Sequence, residues 1–280
     1  MTHPTPHIQP ATRPPAPLLL GGLMTAWLGA WLGGRAASDD LLTGAQRGDA
    51  PHTVRGIPDE PGSVPLSRVL PLLRRAAPAE VSLRLPVPGD PDGLSGVMLA
   101  RALRGGEAVA VQPIATDDPH AHGWLLIPET DVRGSSLEPL VTVEWELMPI
   151  VGQLSGSPAN AATLREAEHV LSESVTAAAE VIAEIGQVGR LSPEIVAAIQ
   201  SLRKRHGLKL PLPSGSPPEA IRVLTTAQRL EAVVELAAGE QPLSAAADAR
   251  RMEALREVSR AVRDAFRLAF AACAAGDTWH

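Results

Sequence analysis

The stretch Val141-Thr142-Val143-Glu144-Trp145-Glu146-Leu147-Met148-Pro149-Ile150 carries the clearest two-residue alternation in the chain. Val141, Val143, Trp145 and Leu147 fall on one side and Thr142, Glu144 and Glu146 on the other, the signature of a strand with one face toward a core and one toward water. Immediately after it, Gly152 to Pro158 is small and polar, and beyond that break the pattern changes from a period of two to helical periods. The chain therefore reads as α+β, with a small, mostly antiparallel sheet and N-terminal helices before the break and about four helices after it.

Working back from this strand, Gly123–Pro128 and Glu107–Ile114 read as paired strands across the polar loop Ala115–His122. Val81, Leu83, Leu85 and Val87 alternate with Ser82, Arg84 and Pro86, giving a further strand whose proline places its end at an edge. Leu94 to Leu103 reads as a short helix stopped by Gly105 and Gly106, and Pro65 to Ala77 as another, which Pro71 kinks or splits. Ser38, Asp39 and Asp40 read as a helix start ending at Gly48.

Leu18 to Leu32 has to be weighed as a secretory signal or a membrane span. It is shorter than the ~20 apolar residues of a span, and Gly21, Gly22 and Gly29 interrupt it. Bulky residues at Leu20, Leu23, Met24, Trp27, Leu28, Trp31 and Leu32 follow the spacing of a core helix, while Gly22, Ala26, Gly29 and Gly33 admit a close neighbour. Small residues at Gly34-Arg35-Ala36 keep the exported reading open as the alternative to a cytoplasmic one. Ahead of it, residues 1–17 hold six prolines and read as an extended tail.

After the break, Leu164, Leu171, Val175, Ala178, Ile182 and Ile185 share one helical stripe. Ser192-Pro193-Glu194 and Ser216-Pro217 are start signals for two more helices, stopped at Gly207 and Gly239. Ser244 opens the last, whose inward stripe is Met252, Leu255, Val262, Phe266, Ala269 and Cys273. The domain reading is thus a tail over 1–17, an α+β domain over 18–151 and a bundle-like helical region over 159–276, with the alternative that these last helices pack on the sheet as part of one domain.

Composition excludes some functions. A net charge of -6 is wrong for a general nucleic-acid binder. One cysteine, Cys273, excludes an intrachain disulfide and a Cys-rich zinc site, and its apolar helix makes it a buried thiol in a reducing compartment. No phosphate loop, dinucleotide fingerprint or G-x-S-x-G turn is present, and no pattern names a cofactor.

Three clusters remain as candidate chemistry. Asp117, Asp118, His120 and His122 in the predicted hairpin loop have the donor types for a divalent metal, although loops of this kind are also acidic simply because they are solvated. Asp90 and Asp92, with Glu129, could line a ligand site after a strand, but both aspartates would repel a phosphate and suit a turn or cap equally. Arg203, Lys204 and Arg205 form the one basic cluster, for an anion or acidic partner or merely for a helix C-terminus. The leading reading is a cytoplasmic accessory protein without catalytic activity whose partner is another protein or a second copy. The alternative is a small-molecule- or metal-binding enzyme at the loops around Asp90, Asp92 and Asp117–His122. Membrane association is not expected.

Overall fold

The structure, a computed structural model, describes residues 19–46, 50–114, 122–134, 139–155, 163–174, 176, 210–238 and 245–276. The tail 1–17, the expected helix over 192–207 and its basic cluster, and most of the hairpin loop lie outside the described residues.

Helix α1 (Leu20–Leu32) is the hub. Its sequence offers no side-chain cap at Leu19, and Glu107, distant in the chain, supplies one: its carboxylate accepts the backbone N–H groups of Leu20 and Gly21 at 3.0 and 2.9 Å. The helix is apolar all round because it is covered all round. Leu20, Met24, Leu28 and Trp31 join the core under the sheet, while Leu23 and Ala26 join a second core with the C-terminal helices. Of the apolar run, residues 20–32 form a buried helix, and no described helix is long and apolar enough to cross a membrane.

Helix α2 (Ser38–Gln46), the short strands β1 (Thr53–Arg55) and β2 (Val64–Pro65), a 3-10 turn (Leu66–Arg68) and helix α3 (Leu70–Arg74) follow. The helix expected over 65–77, with Pro71 kinking or splitting it, is divided, and the break falls before Pro71, between the 3-10 turn and α3. Pro65 sits in β2, and Pro71 can enter α3 only near its start, where its missing N–H costs nothing. Strand β3 (Ala79–Arg84), helix α4 (Gly96–Gly105), and strands β4 (Ala108–Pro113), β5 (Gly123–Gly134) and β6 (Pro139–Ile150) complete the sheet. Gly106, at φ 77°, ends α4 in a left-handed turn that favours glycine.

The sheet order is β2-β1-β6-β5-β4-β3, antiparallel except for the parallel pair β1 and β6. One face holds Val54, Val81, Val109, Val111, Trp124, Leu126, Val143, Trp145 and Leu147 under α1, α2 and α3. The other holds Ala108, Ala110, Leu125, Ile127 and Ile150 beneath Leu94, Met98, Leu99 and Ala102 of α4 and its approach. The face assigned to water is therefore covered along part of its length, and Ser82 and Arg84 on it are buried.

The C-terminal region contributes α5 (164–174), α6 (Pro218–Ala238) and α7 (Ala245–Ala275). At the start of α5, the Thr163 hydroxyl accepts the Glu166 N–H and the Glu166 carboxylate accepts the Thr163 N–H, a reciprocal capping box. Helix α7 packs on α6, α1 and β3 through Phe266, Ala269, Phe270 and Cys273. Gly22 faces the Phe270 ring and Gly29 faces Ala274, so the small stripe of α1 is the seat of α7. Arg35 donates to the carbonyl oxygens of Cys273 and Ala274 in the last turn of α7, where a cation meets the negative end of the helix.

Candidate functional site

The loop after β3 is tied to α7 by charge. Arg84 is buried on the sheet and donates to the backbone oxygens of Asp92 and Ser155 at 3.2 and 2.8 Å. The Asp92 carboxylate accepts the Leu85 N–H at 2.7 Å and meets Arg267 of α7 at 2.8 Å and Arg84 at 3.7 Å. Asp90 meets Arg263 at 3.0 Å. Burial pushes the Asp92 carboxyl up, against the pull of Arg267, the Leu85 N–H and Arg84, and burial likewise lowers the Arg84 guanidinium. Gly93, at φ 76°, lies so close to the Ser155 carbonyl that a Cβ would collide with it, which holds the loop against the chain leaving β6. Asp90 and Asp92 thus face two arginines of the last helix, a relation no local pattern in the sequence could reveal.

Glu129 belongs to a different constellation. It stands on β5 opposite Glu144 of β6, and both contact Arg55 of β1, at 2.9 and 2.7 Å. Glu146 joins the same guanidinium at 3.3 Å and approaches Arg101 of α4 at 3.6 Å, while Ser63 donates to Glu144. Burial draws the Arg55 guanidinium down, but the bonded carboxylates of Glu129, Glu144 and Glu146 outweigh it and hold the group above its ordinary value. Acid and base catalysis by a carboxylate pair requires surroundings that set the two members apart. One guanidinium shared among three carboxylates instead fastens β1, β6 and β5 together. Sequence places Glu144 and Glu146 on a common face, but not Arg55, because a three-residue strand carries almost no periodic signal.

His122 is exposed just before β5. Asp117, Asp118 and His120 lie outside the described residues, as do Arg203, Lys204 and Arg205. Among the described residues no group of three or more His, Cys, Asp or Glu side chains is placed to hold a metal.

The remaining feature is geometric. Val109 pairs with Leu126, so Ala108, where β4 begins, lies level with Ile127. Strand β5 nevertheless continues to Gly134, accompanied among the described residues only by β6, which pairs with it down to Pro139. The end of this hairpin overhangs the sheet, with Val132 58% and Leu140 55% exposed. The expected end of the strand at Pro128 was too early. A proline withholds one N–H but does not stop a strand whose other edge is paired, and Thr130 and Val132 continue the side of Trp124 and Leu126.

Fold and surface together define an α+β protein with a mixed sheet, a helical C-terminal region and a hairpin projecting beyond its neighbours. The chain belongs to the Rv1486c-like family: the model of that family's N-terminal domain matches residues 22–160 and the model of its C-terminal domain residues 165–267. It is similar to the uncharacterized protein Rv1486c of Mycobacterium tuberculosis (strain ATCC 25618 / H37Rv), 31% identical over 274 residues, covering 86% of this chain and 92% of that one. It is also similar to the uncharacterized protein ML1804 of Mycobacterium leprae (strain TN), 26% identical over 268 residues, covering 79% and 84% respectively. No solved structure matches.

Proposed function

We propose that the protein is a cytoplasmic accessory factor that acts by binding another protein chain, and that the overhanging end of the β5–β6 hairpin is its contact surface. The observation that carries this reading is the exposure of Val132 and Leu140 on opposite faces of a strand pair that runs past β4. A strand pair that runs past its neighbour offers backbone as well as side chains to an added strand, the mode in which sheet edges take up partners. The acids that would have served a ligand site, Asp90, Asp92 and Glu129, are engaged by Arg263, Arg267 and Arg55, which favours an interaction role over a catalytic one. The buried single thiol and the use of α1 inside both cores favour retention in a reducing compartment.

We further propose that residues 18–151 and 159–276 are two domains held by the Arg84, Asp92 and Arg267 contacts and by α1 against α7. The matched family segments, 22–160 and 165–267, support that division. The functional reading is tested by isolating tagged protein from its native cells in two forms, wild type and Val132→Lys/Leu140→Lys. A protein recovered in stoichiometric amount with the wild type and lost with the double variant is the expected result. Equal recovery with both forms would rule out the hairpin as the contact.

A further inference from the structure

The outer edge of β5, the edge turned away from β6, has no strand beside it from Glu129 to Gly134 among the described residues. Proteins blunt such edges with prolines, charged side chains, bulges or a covering loop, because free N–H and C=O groups in a row form a template for another strand. Past Pro128, β5 carries no proline, Asp131, Val132 and Arg133 are all exposed, and the charges at Asp131 and Arg133 are of opposite sign, so they repel most partner strands but match a strand with the same pattern running the other way. We propose that this edge pairs with the same edge of a second copy of the chain, antiparallel, about a two-fold axis beside Val132. The inference rests on the reading of the hairpin as a contact surface and names its occupant.

Charge selects both the occupant and the register. When a strand pairs with its own copy about a two-fold axis normal to the sheet, one residue lies opposite itself, and its neighbours lie opposite each other on a common face. With Val132 at the axis, Asp131 stands opposite Arg133 of the second copy, and Arg133 opposite Asp131 of the second copy. Both cross-strand pairs are then opposite in sign. Moving the axis to Asp131 sets two aspartates against each other, and moving it to Arg133 sets two arginines against each other. Within one chain the Asp131 carboxylate and the Arg133 guanidinium are already 2.7 Å apart, so the pairing closes a four-member ring of alternating charge. On the opposite face Val132 meets Val132 of the second copy, beside Val141 and Val143 of β6, and the exposed valine is covered.

The ladder runs only from Thr130 to Gly134, so the dimer is weak and concentration-dependent, unlike an obligate one. Sedimentation velocity of the full chain from micromolar to near-millimolar concentration tests the pairing, with wild type, Asp131→Arg, Arg133→Asp, and an equimolar mixture of the two variants. Wild type associates as concentration rises. Each variant alone sets like charges opposite each other and weakens association by about tenfold or more. In the mixture, the Asp131→Arg chain presents arginine at both flanking positions and the Arg133→Asp chain presents aspartate at both, so every cross-strand pair between unlike chains is again opposite in sign and association returns. That rescue in trans cannot arise from a folding defect or from loss of the intrachain ion pair, since neither is repaired by mixing. A wild type that stays monomeric at every concentration overturns the pairing, as do single variants that associate like wild type or a mixture that fails to recover. If the purified chain is monomeric while a different protein is lost from Val132→Lys/Leu140→Lys in cells, self-pairing falls and the hairpin contact stands.

Discussion

Replacing Asp92 by alanine should destabilise the protein far more than a typical loop substitution. The side chain is 4% exposed, accepts the Leu85 N–H at 2.7 Å, and stands between Arg267 at 2.8 Å and Arg84 at 3.7 Å. Its removal takes the Asp92 carboxylate from the Arg84 guanidinium and the closer of the Asp92 and Asp264 carboxylates from Arg267, leaving Arg84 its bonds to the Asp92 and Ser155 backbone oxygens and Arg267 its pair with Asp264 at 3.3 Å, and orphans the buried Leu85 N–H. Taking away one member of a buried ion pair costs about 3–5 kcal/mol, chiefly through the charge left behind. A 280-residue chain has an unfolding entropy of roughly 0.6 kcal/mol/K, so Tm should fall by about 5–8 °C if the chain melts as one unit. Asp92→Asn, which keeps an oxygen for Leu85 but removes the charge, should lose less. Adding Arg267→Met to Asp92→Ala should cost less than the sum of the two single changes, because a charge that lost its closer carboxylate is removed with it. Thermal and urea unfolding at neutral pH provide the measurements. An Asp92→Ala protein within about 0.5 kcal/mol of wild type, the scatter of a neutral surface change, would show that Asp92 does not neutralise these two arginines, as would strictly additive losses.

Three further outcomes are expected. Gly22→Ala should destabilise by roughly 1–3 kcal/mol, since its new methyl group meets the Phe270 ring where α1 and α7 touch; an unchanged urea midpoint would contradict that packing. Burial, and then the nearby Glu235, push the Glu231 carboxyl from 4.5 to about 7. The folded state therefore holds this proton more tightly than the unfolded chain, stability declines as pH rises from 4.5 through about 7, and the cost is fully present above that. Glu231→Gln should remove this slope, leaving the variant more stable than wild type at pH 8 by up to about 3 kcal/mol and nearly equal at pH 5; parallel stability curves would refute it. Finally, burial pushes the Cys273 thiol to about 11, so a thiol reagent at pH 8 should label it only at the rate of unfolding, and prompt labelling of the native protein would contradict its place in the core.

Much of the architecture could be read locally. Val143, Trp145 and Leu147 alternate because one sheet face is a core, and α1 announces its neighbour through Gly22 and Gly29, which leave room for α7. The stripe Leu255, Val262, Phe266, Ala269 and Cys273 of the last helix is buried as its spacing requires. What stayed hidden depends on partners distant in the chain. Arg84 alternates with apolar residues as a solvent-facing side chain would, yet Asp92, Ser155 and α7 enclose it. The parallel pairing of β1 with β6 joins a three-residue strand to one ~90 positions away, beyond the reach of any periodicity argument. Glu107 carries no local hint that it caps a helix nearly ninety residues earlier. The candidate ligand residues fared likewise: Asp90 and Asp92 sit in the turn their sequence suggests, but α7 rather than a turn hydrogen bond alone decides what they contact.

The proposed function turns on the overhanging hairpin end being where this protein meets another chain. A photo-reactive amino acid placed at position 132, with the same residue at the exposed Val97 of α4 as control, probes that contact in the native cells. A discrete cross-linked product from position 132 that position 97 does not give is the expected result. A position 132 that yields no product above the level of position 97 would contradict it.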